Sequence, residues 1–180
     1  MMWLIFVPII FVILVATWWI STSNGFEIKK AKIEEAASGI EVALTKRYDV
    51  LTKMLDVTKA YMKHEKEVIV ETIKLRKGMT TEEMRNASDK MDELASKINV
   101  VAESYPVLQS SESFKILQNN IADTEEHLQA ARRLYNANIT AYNTDLVVFP
   151  KSIVANSKHL VKKELFVAED RKKEDVQITF

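Results

Sequence analysis

Ile33–Leu75 reads IEEAASGIEVALTKRYDVLTKMLDVTKAYMKHEKEVIVETIKL and contains no proline and one glycine, Gly39. Steps of four and three residues along this stretch fall mainly on apolar or aromatic side chains, the spacing that places side chains on one face of an α-helix. The positions on this face are Ile33, Ala37, Ile40, Leu44, Arg47, Leu51, Met54, Thr58, Tyr61, Glu65, Val68 and Thr72. A long helix with such a face needs partner helices, so the stretch predicts an all-α fold.

The composition also favours long helices, because the 180-residue chain has only three glycines and three prolines. A chain of this length has room for one domain with a real core. The 25 basic side chains balance the 25 acidic ones, so net charge gives no reason to expect nucleic acid as a partner. Cysteine is absent, which excludes disulfides, thiolate metal ligands and a cysteine nucleophile.

The N-terminal segment differs from the rest of the chain, because residues 1–26 carry no ionisable side chain. Met1–Ile20 is apolar apart from Thr17, and about 20 apolar residues of helix span a hydrocarbon core of roughly 30 Å. Tryptophans near both ends of this run and a proline within it are typical of membrane helices. These residues are Trp3, Pro8, Trp18 and Trp19. The segment predicts a transmembrane anchor at residues 1–20.

A cleaved signal peptide is the rival interpretation, with Ser21-Thr22-Ser23 as the small residues near a cleavage site. Against it, no Lys or Arg precedes the apolar run, and the run is longer than the core of a usual signal peptide. Lys29, Lys30 and Lys32 follow the run closely, so the positive-inside rule places the N-terminus outside and the following domain in the cytoplasm. We therefore expect a single-pass protein of the cytoplasmic membrane that contacts the lipid bilayer through Met1 to Ile20.

Residues 21–26 are predicted to form a linker with a break at Asn24-Gly25. The predicted helical bundle covers residues 27–165, with helices at about 27–77, 80–105, 111–149 and 152–163, and residues 166–180 form a C-terminal tail. Gly78, the capping-box pair Thr80 and Glu83, Pro106 and Pro150 mark the boundaries. The helix lengths predict an elongated three- to four-helix up-and-down bundle in which the first and third helices lie parallel with the second between them.

The sequence lacks the usual patterns of catalytic and metal sites. A di-metal site in a bundle uses Glu-x-x-His pairs, but Tyr61, Thr124 and Asn156 stand three residues before the histidines at positions 64, 127 and 159. No serine–histidine–acid spacing and no glycine-rich phosphate loop is recognisable. We therefore expect no metal, no cofactor and no enzymatic activity.

Polar residues at predicted inward positions are the strongest functional candidates. Arg47 and Glu65 lie on the inner face of the first helix, and Thr124, Asn138 and Asp145 lie on that of the third. Buried charges need partners, and polar residues in a helix interface often fix its register. Two interpretations remain open. The residues pair to set the register, or Arg47, Glu65, Asn138 and Asp145 line a polar pocket for a ligand or a partner.

The chain resembles the LemA family of bacterial membrane-anchored proteins in several motifs that occur in order along nearly its whole length. They include Glu35-Ala36, Lys46-Arg47-Tyr48-Asp49, Lys63-His64-Glu65-Lys66-Glu67-Val68, Val101-Ala102-Glu103-Ser104-Tyr105-Pro106, Tyr142-Asn143-Thr144, Phe149-Pro150 and Phe166-Val167-Ala168-Glu169. The chain departs from the family where Ala37 replaces a large aromatic residue and where Thr52-Lys53 replaces a Pro-Asn pair. The resemblance implies an N-terminal anchor with a short outer end and a cytoplasmic helical bundle, and it carries over no catalytic residues.

The leading hypothesis is a membrane-tethered, non-enzymatic helical scaffold or adaptor that binds a protein partner at the cytoplasmic face of the membrane. A ligand-sensing module with a polar pocket between helices is the alternative. An enzyme of an unrecognised type is the third hypothesis, and it would require an inward cluster of unpaired His, Glu or Asp in an open cleft.

Overall fold

The computed structural model describes residues 3–61, 73 and 75–166, and within these ranges all regular structure is helical. The helices are α1 (Trp3–Tyr61), α2 (Thr81–Ser104), α3 (Pro106–Ser110), α4 (Glu112–Val147) and α5 (Lys151–Ser157). The predicted all-α fold is therefore confirmed. The expectations for Glu65, for the histidine at position 64 and for the tail beyond Phe166 lie outside the described residues.

Helix α1 is unbroken over 59 residues, so the predicted linker at residues 21–26 is wrong. A glycine inside a helix costs only about 1 kcal/mol relative to alanine, so Asn24-Gly25 cannot end a helix that packing supports. The packing comes from Phe26, which is buried and forms an edge-on contact with Tyr142 of α4 at 6.0 Å between ring centroids. The packing of Phe26 against Tyr142 therefore outweighs the tendency of Asn24-Gly25 to interrupt the helix.

The chain divides into two compact units, which are described separately below. The first unit contains the described residues of 1–36 and 134–165, namely the N-terminal part of α1, the C-terminal part of α4, and α5. The second unit contains the described residues of 37–133 together with Phe166, namely the rest of α1 and α4 with α2 and α3.

In the first unit α1 and α4 run antiparallel, so the predicted parallel pairing is wrong. Lys29 Nζ donates to the Asp145 carboxylate at 2.6 Å and to the Ala141 carbonyl at 3.0 Å. Three residues later on α1, the Lys32 carbonyl accepts a hydrogen bond from Asn138 Nδ2 at 3.1 Å. Since partner numbers on α4 fall as numbers on α1 rise, the two helices have opposite directions.

In the second unit α2 runs parallel to α1, so the up-and-down arrangement predicted for these two helices is wrong. The Glu41 carboxylate accepts hydrogen bonds of 2.8 Å from the backbone N–H groups of Gly78 and Met79, just before α2 begins. Six residues later on α1, Arg47 pairs with Asp92 in the middle of α2. Since residue numbers on α2 rise as numbers on α1 rise, α2 has the same direction as α1.

The first predicted helix extends too far, and this error explains the reversed directions. Residues 73, 75 and 76 are not helical, and Gly78 lies in a turn with a φ of 75°. The left-handed conformation is the one that glycine favours, but it does not cap a helix here. Between Tyr61 and Gly78 the sequence has neither proline nor glycine, so no local residue signals that the helix has ended.

The later helix boundaries agree more closely with the sequence. Thr80 and Glu83 form the predicted capping box at the start of α2. The Ser111 hydroxyl accepts a hydrogen bond from the Phe114 N–H at 3.3 Å, as expected of a residue that caps α4. Residues 107–110, predicted as a connector, instead belong to α3, which Pro106 begins. Helix α5 ends at Ser157, earlier than the predicted 163.

Each unit has its own buried apolar core. In the first unit the core includes Phe26, Ile33, Ala36, Ile139, Tyr142 and Val154. In the second unit it includes Ile40, Leu44, Leu51, Met84, Met91, Ile98, Leu108, Phe114 and Leu128. Most predicted inward positions are buried, but Tyr61 and Phe149 are exposed.

Candidate functional site

Arg47 lies inside the second unit among apolar residues of α1. Its place between Leu44 and Leu51 on the buried face leaves the residue only 5% exposed. Arg47 Nη2 donates a 2.5 Å hydrogen bond to Asp92 Oδ1 on α2 and lies 3.3 Å from Glu125 Oε2 on α4. The second contact is an ion pair, not a hydrogen bond. One guanidinium thus links three helices.

A second guanidinium lies in the same region. Arg132 of α4 donates a 2.6 Å hydrogen bond to the Ser88 hydroxyl of α2, and its guanidinium lies 4.8 Å from the centre of the Phe166 ring. Burial lowers the pKa of Arg132 below its usual value. The positive charge of Arg47 lowers it further, whereas Glu125, Asp92 and Asp89 raise it. We call Arg47, Ser88, Asp92, Glu125 and Arg132 the arginine cluster.

The arginine cluster can do two things chemically. Buried ion pairs contribute little net stability, but they specify how helices align, because a wrong register would leave a buried charge unpaired. Guanidinium groups also bind carboxylates and phosphates through paired hydrogen bonds. Arg47 Nε, Arg47 Nη1 and Arg132 Nε are buried and have no hydrogen-bond partner among the described residues. The cluster is therefore suited to fixing the register of the helices, and it retains N–H groups that could donate hydrogen bonds to an anion.

The first unit contains a second charged group, in which Asp145 is bonded to two lysines. Lys29 Nζ lies 2.6 Å from Asp145 Oδ2, and Lys151 Nζ lies 2.9 Å from the same oxygen. Burial raises the pKa of Asp145, but the hydrogen bonds and charges of Lys29 and Lys151 outweigh burial, so the pKa lies below its ordinary value. We call these three residues the aspartate clamp, because they join α1, α4 and α5.

The structure separates the four inward polar residues that the sequence groups together. Arg47 belongs to the second unit, Asn138 and Asp145 belong to the first, and Glu65 lies outside the described residues. Each of the three described residues has a partner within its own unit. These contacts agree with the register interpretation.

Sequence reasoning missed Arg132, Ser88, Asp92, Lys29 and Lys151. Arg132 follows the predicted inward residue Ala131 directly, and its long side chain reaches the cluster from the edge of that face. The pairing across helices depends on the helix directions, which the sequence pattern predicted incorrectly.

Two open grooves of the second unit lie on either side of Met79 and Arg76, with volumes of about 440 and 460 Å³. The first groove is also lined by Glu83, Asn86 and Lys90 around the start of α2. The second groove is also lined by residues of α1 between Ser38 and Lys46. Arg47 does not line either groove. Within the described part of the chain, no three His, Asp or Glu side chains are arranged to hold a metal ion.

The N-terminal part of α1 presents large apolar side chains on all sides. Every described residue from Phe6 to Thr17 is exposed, and Phe11 is 66% exposed. The Thr17 hydroxyl donates to the carbonyls of Ile13 and Leu14, so this polar group is satisfied within the helix. By length and composition α1 qualifies to cross a membrane, a property that N-terminal signal sequences share.

Comparison with known proteins gives a consistent result. The family model described as LemA family matches residues 36–180 of the chain. Protein LemA of Metamycoplasma hominis is 26% identical over 150 residues, which cover 81% of this chain and 68% of that protein. The matched region includes the arginine cluster and the aspartate clamp residues of α4 and α5, and it begins after the apolar part of α1. The chain therefore belongs to the LemA family.

Proposed function

We propose that the protein is a membrane-tethered, non-enzymatic helical scaffold whose helical units lie at the cytoplasmic face of the bacterial membrane. The observation that carries this proposal is the exposure of the large apolar side chains from Phe6 to Val15 and of Ile20. Burying one large aliphatic or aromatic side chain is worth about 1.5–3 kcal/mol. A helix that exposes so many of them to water is strongly unfavourable, whereas lipid covers every face equally.

The flanking charges support the cytoplasmic orientation. No ionisable side chain precedes Phe26, and Lys29, Lys30 and Lys32 follow within two helical turns of it. Basic residues next to a membrane helix remain preferentially on the cytoplasmic side. These charges support a cytoplasmic location for the parts of both units beyond Phe26.

The charged contacts inside the helical units support a scaffold over an enzyme. The arginine cluster connects α1, α2 and α4, and the aspartate clamp connects α1, α4 and α5. In both groups the charges face one another across helices. Such pairing fixes the helices as a rigid surface, which a protein that binds a partner needs.

Photo-crosslinking in cells tests the scaffold role. A photoreactive amino acid at Val107 or at Ile116, both exposed apolar residues of the second unit, is expected to capture the same defined protein. The exposed polar residue Ser96 of α2 provides the matched control position. Consistent capture of one identified protein would support the scaffold. Failure to capture any protein at several exposed positions would contradict it.

Ligand sensing is the second candidate function, favoured by the buried nitrogens of Arg47 and Arg132 that have no partner among the described residues. A ligand at about 100 times its Kd stabilises the folded state by about 2.7 kcal/mol. Inorganic phosphate, compared with chloride at equal ionic strength, should then raise the Tm of the purified protein, and the Arg132→Gln variant should lose the effect. Equal Tm values in both salts would exclude an anion of this kind.

A further inference from the structure

Four exposed apolar residues that the core does not use lie at the junction of α4 and α5. Val147 ends α4, Val148 and Phe149 follow it, and Ile153 lies in the first turn of α5. All four are exposed, and Phe149 is 77% exposed. Single exposed apolar residues are normal on protein surfaces, but contiguous ones mark a contact with a membrane or a partner. We call these four residues the apolar tip.

The apolar tip lies near the level at which the apolar run of α1 ends. Asp145 is bonded to Lys29, which follows Ile20 by nine residues, or about 13 Å of helix. Because α4 runs antiparallel to α1, the residues after Asp145 extend back toward Ile20. Val147, the first residue of the tip and the last of α4, follows Asp145 by two residues, or about 3 Å of helix. The start of the tip therefore lies about 10 Å from the level of Ile20, measured along α1.

This level lies next to the polar boundary of a bilayer. A bilayer has a hydrocarbon core of about 30 Å and a total thickness of about 40–45 Å, so each headgroup region is about 5–7 Å thick. Apolar side chains of peripheral helices insert about 5–10 Å into this boundary. Large side chains such as Phe149 can reach it from the calculated level.

Lysines lie on the elements that adjoin the tip. Lys29 and Lys151 contact Asp145, while Lys30 and Lys158 contact Glu27 at 3.1 and 3.9 Å. These four lysines share two carboxylates, so the group of six side chains carries two excess positive charges. Anionic lipid headgroups attract basic residues near the membrane surface. Apolar residues flanked by lysines are the combination that binds a membrane surface.

We propose that the apolar tip inserts into the headgroup boundary of the bilayer that α1 crosses, where the lysines on the adjoining elements contact anionic lipids. The inference rests on the proposed function, because it requires Phe6–Ile20 to lie in the membrane. The first unit then has two membrane contacts, the anchor and the tip. Together they fix the tilt and rotation of this unit relative to the membrane surface, which a single helix does not.

Fluorescence of labelled cysteine variants tests the insertion. The chain has no cysteine, so Val148→Cys or Ile153→Cys gives one site for a polarity-sensitive fluorophore in the otherwise intact protein. The protein is reconstituted into phosphatidylcholine vesicles containing phosphatidylglycerol. Two quenchers are compared, nitroxide groups on the lipid acyl chains and iodide in the water. Ile13→Cys reports on the anchor, and Leu134→Cys provides an exposed control on α4, eleven residues before Asp145.

We expect both tip labels to emit at shorter wavelength than the Leu134 label, to be quenched by the lipid nitroxide and to resist iodide. In vesicles without phosphatidylglycerol, quenching by the lipid nitroxide should decrease. Tip labels that iodide quenches, in protein whose Ile13 label is in lipid, overturn the tip contact and leave the anchor intact. Tip labels that resist both quenchers indicate a protein cover and overturn it as well. An Ile13 label in water contradicts the proposed function itself.

Discussion

At the scale of single residues, the surroundings of Arg47 explain why a charged side chain can occupy the apolar face of α1. The residue stands in the four–three pattern that otherwise selects apolar side chains, and it is buried. A buried guanidinium is tolerated only where carboxylates face it, and Asp92 and Glu125 supply them from two other helices. The sequence identifies Arg47 as needing a partner, but it cannot name the partner without the helix directions.

Replacement of Arg47 tests its role in the fold. The Arg47→Ala variant is expected to lose on the order of 3 kcal/mol of unfolding free energy. This value is at the lower end of the range for breaking a buried ion pair, because Asp92 and Glu125 are partly exposed to water. Arg76→Ala removes an arginine from an exposed pair with Glu83 and should change stability little. Urea unfolding in detergent micelles measures both. Equal losses would contradict the structural role.

Acid should weaken the aspartate clamp. The pKa of Asp145 is lower in the folded state than in the unfolded state, where it is about 3.9. The ionised side chain therefore contributes its full stability at pH values above the unfolded-state pKa, and this contribution is lost as the pH falls through the folded-state pKa. Asp145→Asn should be less stable than the unmodified protein near neutral pH, and the two should converge in acid. Glu34→Gln, at an exposed position of α1, provides the control. A pH-independent difference between Asp145→Asn and the unmodified protein would contradict the clamp.

At the scale of helices, glycine substitutions distinguish an unbroken α1 from the predicted linker. Gly25 lies inside α1 with open space around it, so Gly25→Ala should stabilise the protein by about 0.5–1 kcal/mol. Gly78 has a positive φ, so Gly78→Ala should destabilise it by about 1–2 kcal/mol. Thermal unfolding of both variants in micelles measures the opposite signs. Destabilisation by Gly25→Ala would indicate that the helix breaks there.

The helices also show what the sequence could and could not predict. The ends of α2 were predictable because Thr80 and Glu83 cap it through local hydrogen bonds. The inward faces were predictable because burial follows the helical period. The directions were not, because residues 62–77 contain no proline or glycine that would mark the end of the first helix. The pairing of Arg132 with Ser88 and of Lys29 with Asp145 depends on those directions, so both were missed.

At the scale of the whole molecule, the two units share a construction principle. Each has an apolar core and one charged group that joins its helices, the arginine cluster in the second unit and the aspartate clamp in the first. The apolar run of α1 belongs to neither core. Its exposure, followed by the lysines after Phe26, is the basis for the proposed tether at the cytoplasmic face.

Labelling of single cysteines in intact cells tests this arrangement most directly. Ser110→Cys places a thiol at an exposed site of the second unit, and Met2→Cys places one at the opposite end of the apolar run. A maleimide that does not cross membranes should label Met2→Cys in intact cells, but it should label Ser110→Cys only after the cells are permeabilised. Both variants should remain in the membrane fraction after alkaline extraction. Labelling of Ser110→Cys in intact cells, or release of the protein by alkali, would contradict the account.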